Sequence, residues 1–136
     1  MAATIGLVIW ATRDNGIPKG PQPPFSVLAD ELARIGPFTG SVSTQEPEKQ
    51  VKIGSEMISA RYRLTMPSLQ ARTYYRDELS RNGWRYRRTL SSSSNWVDVY
   101  CKGSLQGSVE LVPASSAPPV LALSISWNVI SVRECQ

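Results

Sequence analysis

The residues whose types and spacing could do chemistry are few in this chain: two cysteines, eleven carboxylates and a dense run of arginines, with no histidine at all. Without histidine the commonest general base is missing, as are the usual partner of a serine or cysteine nucleophile and the commonest metal ligand. Carboxylates alone can catalyse when two converge on one cleft. Here they form no D-x-D or E-x-x-E constellation, and Asp30-Glu31 and Asp77-Glu78 fall where solvated helix faces are expected. Cys101 and Cys135 stand too far apart for a C-x-x-C redox or zinc motif. They are either two buried thiols or, in an extracytoplasmic protein, one disulfide that pins the chain end. Gly103 to Gly107 lacks the Lys-Ser/Thr and the following helix of a phosphate loop. The sequence predicts no enzyme, no metal and no cofactor.

Charge placement is the strongest signal. Between Arg72 and Arg88 six arginines stand against Asp77 and Glu78, so this stretch accounts for the whole formal net charge of +4. Arginine suits planar, bidentate recognition of carboxylate or phosphate. Three readings fit: a solvated helix face beside a sheet edge protected by charge, an interface for protein or anionic lipid, and a nucleic-acid surface with Tyr and Trp neighbours to stack on bases. Arg72 and Arg76 are four apart on a helix, and Arg85 and Arg87 share one face of the following strand with Arg88 on the other. Arg72, Arg76, Arg85 and Arg87 are therefore the expected partner-binding set. Arg81 lies near the helix end, where the dipole already favours a cation. Trp10, Trp84, Trp96 and Trp127 read as core or interface anchors, not as a sugar-binding platform.

The elements that must position these residues belong to one domain, since 136 residues suffice for a single core. With 41% apolar and 19% charged residues, the chain is globular and not disordered. Residues 1–24 read as an apolar segment followed by a Pro-rich linker. The apolar run in MAATIGLVIWAT is shorter than the roughly 20 residues of a membrane-spanning helix, and no positive charge precedes it as in a signal peptide. A buried strand, the exit end of a membrane anchor and an interfacial segment all fit it.

Residues 25–136 read as a single α+β domain. Phe25, Leu28, Leu32 and Ile35 recur at helical spacing between Pro23-Pro24 and Gly36-Pro37, which predicts a helix over about 25–35. From Thr39 to Gln50 the chain is polar and aperiodic and reads as a loop. Ile58, Ala60, Tyr62 and Leu64 alternate with polar residues as in a half-buried strand. Ala71, Tyr75 and Leu79 form the core stripe of a second helix over 67–82, with Asn82-Gly83 as its left-handed cap and Trp84 packing back on Leu79. Strands at about 84–90, 95–102 and 107–112 form a meander. A long last strand follows in which the apolar phase slips from Trp127 to Ile130 and Val132, which predicts a β-bulge near Val129. The expected fold class is α+β, with one mainly antiparallel sheet of four to five strands and two helices packed on it.

The strand EMISARYRLTM, the helix carrying Tyr74-Tyr75 and Glu78-Leu79, Gly83-Trp84 and the meander resemble the small α+β domains of bacterial envelope lipoproteins and membrane-anchored proteins of unknown function. The resemblance covers residues 56–112, and no lipobox cysteine stands near the start. It implies an extracytoplasmic, membrane-associated location and gives no activity, because fold does not imply function. The leading expectation is a non-catalytic accessory or docking subunit of a bacterial envelope complex, binding a protein partner through the arginine surface. The alternative is an immunity or inhibitor protein that neutralises a cognate toxin. Nucleic-acid binding stands third and would show a steep loss of affinity with salt.

Overall fold

Alternation of apolar and polar residues sets up one sheet, and a crossover helix divides it. The computed structural model describes residues 21–43, 46–65, 67–91, 95–112 and 119–135, so the reading of the first twelve residues lies outside the described residues. In chain order the elements are α1 (Phe25–Arg34), β1 (Ser41–Ser43), β2 (Glu48–Lys52), β3 (Ser55–Leu64), α2 (Ser68–Arg81), β4 (Arg85–Ser91), β5 (Trp96–Lys102), β6 (Leu105–Val112), β7 (Val120–Trp127) and α3 (Val129–Cys135). All seven strands share one antiparallel sheet in which β4, β5, β6 and β7 run as a meander and β3 closes against β7. Both β1 and β2 pair with β3, opposite Tyr62–Leu64 and Ser55–Ser59 respectively. Helix α2 thus carries the chain from β3 across three intervening strands to the far edge at β4.

This corrects the expected four to five strands and two helices to seven and three. Of the additional strands, β1 lies within the polar stretch read as a loop and β2 begins in it and runs two residues past its end. Their sequences lack apolar alternation because they sit at an edge, and every residue of β2 is exposed. The third helix replaces the expected continuation of the last strand. No bulge forms near Val129, since β7 stops at Trp127 and the change in apolar phase is the start of a helical turn. Asn128 Oδ1 accepts from the Ser131 N–H at 2.9 Å while Ser131 Oγ accepts from the Asn128 N–H at 2.7 Å. That reciprocal capping turns the chain out of the sheet.

One face of the sheet carries the main core. Ile58 and Ala60 of β3 lie beside Ile125 and Leu123 of β7, with Gly107 and Val109 of β6 next to them. Leu28, Leu32 and Ile35 from α1 and its end, and Ala71, Tyr75 and Leu79 from α2, pack on this face. Tyr62, on the apolar side of its strand, is only half-buried, and so is Val97 of β5. The helix end at Asn82 is a Schellman cap: Gly83 takes φ 89°, and the Trp84 N–H reaches the Leu79 carbonyl at 2.9 Å. Trp84 is thereby laid over Gly107, where a Cβ would meet its ring at 3.1 Å. Tyr74 and Tyr75 tie the same helix to the loop after α1. Tyr74 donates to the Gly36 carbonyl at 3.2 Å, and the buried Tyr75 hydroxyl accepts from the Phe38 N–H at 3.0 Å. Burial, the largest cause, pushes the Tyr75 hydroxyl far up despite that bond.

The opposite face is lined by small and polar residues such as Ala122, and by Ser124, whose hydroxyl donates to Ser59 at 2.9 Å. Helix α3 lies against it, joined to β5 by a disulfide between Cys101 and Cys135, whose Cα atoms are 5.3 Å apart. No helix among the described residues is long and apolar enough to cross a membrane.

Candidate partner-binding surface

Six arginines start from one helix and the strand after it, and the structure sends them in three directions. Arg72 points inward from α2 over the sheet. Its Nε and Nη2 each donate to an oxygen of Asp98 at 2.7 Å, and its guanidinium stacks on Trp96 at 4.6 Å from the ring centroid. Thr89 Oγ1 completes the arrangement, donating to Asp98 Oδ1 at 2.5 Å. The Asp98 side chain is 2% exposed and that of Arg72 is 24%. Burial pushes the Asp98 carboxyl up, but the hydrogen bonds from Arg72 and Thr89 outweigh it and hold the group below its ordinary value. The bond to Asp98 likewise raises Arg72. A charge needs such pairing at a buried position, so this contact belongs to the fold.

Arg76, one turn on, is exposed on α2 and reaches the hydroxyl of Tyr100. Burial, the largest cause, pushes that hydroxyl up to about 12, with Arg76 acting against the shift. Arg81 pairs locally with Glu78.

The other three lie on edge strand β4. Arg85 stands opposite Cys101, and Arg88 opposite Val99, with a register shift between Tyr86 and Arg88. A regular strand would send Arg87 and Arg88 to opposite faces. The bulge instead lets both reach one carboxylate: Arg87 Nε lies 3.0 Å from Glu134 Oε2, and Arg88 Nη2 lies 2.7 Å from Glu134 Oε1. Arg85, Arg87 and Arg88 therefore share the α3 side of the sheet, and Arg85 is exposed with no ion pair among the described residues. Both Arg87 and Arg88 remain about half exposed, at 55% and 50%. A shallow cleft of about 380 Å³ opens beside them, lined by Arg87, Ile130, Arg133 and Glu134. Exposed Tyr86 and Leu90 complete the strand, at 55% and 48%.

Of the four arginines expected to bind a partner, Arg72 is thus engaged inside the fold, Arg76 is exposed on the helix, and Arg85 and Arg87 line the edge strand together with Arg88. Sequence reasoning missed the two carboxylates that divide them. Asp98 was signalled by its place, a lone acid within the apolar run Trp96-Val97-Asp98-Val99-Tyr100 that needs a buried partner. Glu134 carried no such mark, because its meeting with β4 depends on α3 and the disulfide.

A separate ion-pair cluster lies on the opposite face of the sheet, the one covered by α1 and α2. Lys102 Nζ lies 2.9 Å from Glu31 Oε2 and donates to the Asn82 carbonyl at 2.8 Å, joining α1, the cap of α2 and β5. Among the described residues no group of three His, Cys, Asp or Glu side chains converges as metal ligands. Compared with known protein families, curated proteins and solved structures, the chain gives no match.

Proposed function

We propose that this chain is a non-catalytic accessory or docking subunit of a bacterial envelope or membrane-associated complex, and that it engages a protein partner through the basic edge strand β4. The observation that carries the reading is the charge imbalance there. Arg85, Arg87 and Arg88 lie on one side of an edge strand with Glu134 as the shared carboxylate of two of them. Arginine and tyrosine are enriched at protein-binding hot spots, and Tyr86 stands exposed on the other face of the same strand. The envelope setting rests on the likeness of residues 56–112 to envelope lipoprotein domains and is consistent with the Cys101–Cys135 bridge, since disulfides persist in oxidising compartments.

Affinity capture from native membranes tests the proposal, using the wild-type chain beside a variant carrying Arg85→Glu and Arg88→Glu. Retention of an envelope protein by the wild type and its loss with the folded variant is the expected result. Recovery of a toxin instead would establish the inhibitor reading, and complete partition of the native protein into the soluble cytosolic fraction would defeat the envelope reading.

A further inference from the structure

We propose that β4 accepts an extended acidic segment of its partner as an added strand, with the segment's carboxylates on the α3 side; this rests on the docking reading above. Strand β4 ends the sheet, so the backbone groups along its outer side have no strand partner among the described residues. An open edge binds an extended chain through main-chain hydrogen bonds, while alternate side chains supply specificity. Beyond the bulge, Arg88–Ser91 pairs regularly with β5, which gives a straight stretch on which a new strand can register.

The side chains name the occupant. Because Arg85, Arg87 and Arg88 all lie on the α3 side, the residues an incoming strand places on that side meet cations, with exposed Leu90 opposite Val97 on the same side. The other side offers Tyr86, Thr89 and Ser91. A second copy of this chain is a poor fit, since pairing of two β4 edges sets arginine against arginine, which is how charged edges prevent self-association. Carboxylates reverse that repulsion. Glu134 already marks the preference from within the chain, bridging Arg87 and Arg88. A segment alternating acidic and apolar residues sets its carboxylates against the arginines of the α3 side and its apolar residues beside exposed Tyr86 on the other.

The test uses the full chain, labelled for amide detection, and three capped peptides of about six residues, the length of an ordinary strand. One alternates Glu and Val, the second has the same sequence with alternate amides N-methylated, and the third replaces Glu by Lys. The Glu-Val peptide is expected to protect β4 amides from exchange in a saturable way. N-methylation is expected to weaken its binding about tenfold or more through lost backbone bonds. The Lys-Val peptide and the chain carrying Arg85→Glu and Arg88→Glu are expected to show no saturable protection. Equal binding of the N-methylated peptide would overturn strand addition and leave a charge-only docking surface, so the broader reading would survive. Absence of any protection at β4 by the Glu-Val peptide, or equal protection by the Lys-Val peptide, would also overturn the proposal, whereas failure of capture from membranes would remove the docking reading itself.

Discussion

Arg72 and Asp98 meet through two parallel hydrogen bonds of 2.7 Å, which place the only buried aspartate among the described residues under the guanidinium of the crossover helix. Substituting Arg72 by Ala leaves that carboxylate buried without its main partner. The expected loss is about 2–4 kcal/mol, below the roughly 3–5 kcal/mol of a fully buried pair because Arg72 keeps contact with solvent. Arg76→Ala, at an exposed neighbour on the same helix, removes only the reach to the Tyr100 hydroxyl and is expected to cost less, about 0.5–1.5 kcal/mol. Urea unfolding of both variants checks the contrast.

The same pair sets an acid limit. The Asp98 carboxyl titrates below its ordinary value in the folded chain, so its contribution is fully present above the unfolded value of about 4 and is lost as pH falls through the folded value. Stability measured across this acid range should fall more steeply for the wild type than for Asp98→Asn, which starts less stable and lacks the titrating group. Parallel curves would remove Asp98 as a source of the acid sensitivity.

Gly83 holds φ 89° in the cap of α2, a conformation that costs a side chain about 1–2 kcal/mol. Gly83→Ala should destabilise the domain by that amount without altering the basic edge. Thermal unfolding alongside peptide protection at β4 would separate the two effects.

Gly107 leaves the space that Trp84 fills, with a substituted Cβ meeting the ring at 3.1 and 3.2 Å. Gly107→Val is expected to displace the indole and cost about 1–3 kcal/mol through overpacking. The near-ultraviolet dichroism of Trp84 should change with it, and an unchanged spectrum with wild-type stability would mean that the contact relaxes freely.

Replacing both Cys101 and Cys135 by Ser should cost roughly 2–4 kcal/mol on the loop-closure account. The seven residues of α3 are too few to be helical alone, so their amides should exchange faster and Glu134 should loosen from Arg87 and Arg88. Amide exchange on the double variant reads both consequences.

The sequence made the middle of the fold legible and its margins obscure. Helix α2, its Gly83 cap and the meander were readable because buried stripes and a positive-φ glycine leave periodic or positional marks in the chain. Edge strands β1 and β2 leave none, since a strand exposed on both faces has no apolar alternation to display. The slip after Trp127 was visible, but bulge and helix both explain a change of phase, and only the Asn128–Ser131 capping decides between them. At the surface, the density of arginine was plain. Their sorting into one internal pair and one edge cluster was not, because it turns on a bulge at Arg87 and on carboxylates from β5 and α3.

The pairing of β3 with β7 gives the chain an order in time. Ile58 lies beside Ile125, so the first long strand has to wait for the last strand of the sheet before its second edge is paired. The meander, by contrast, joins neighbours and can form locally. Contacts so far apart along the chain slow folding, because a large loop must close before they bring any return. During synthesis the edge of β3 that pairs with β7 therefore stays open until Val120–Trp127 emerges. A nascent chain halted before Val120 would present an unpaired strand edge open to association with other chains.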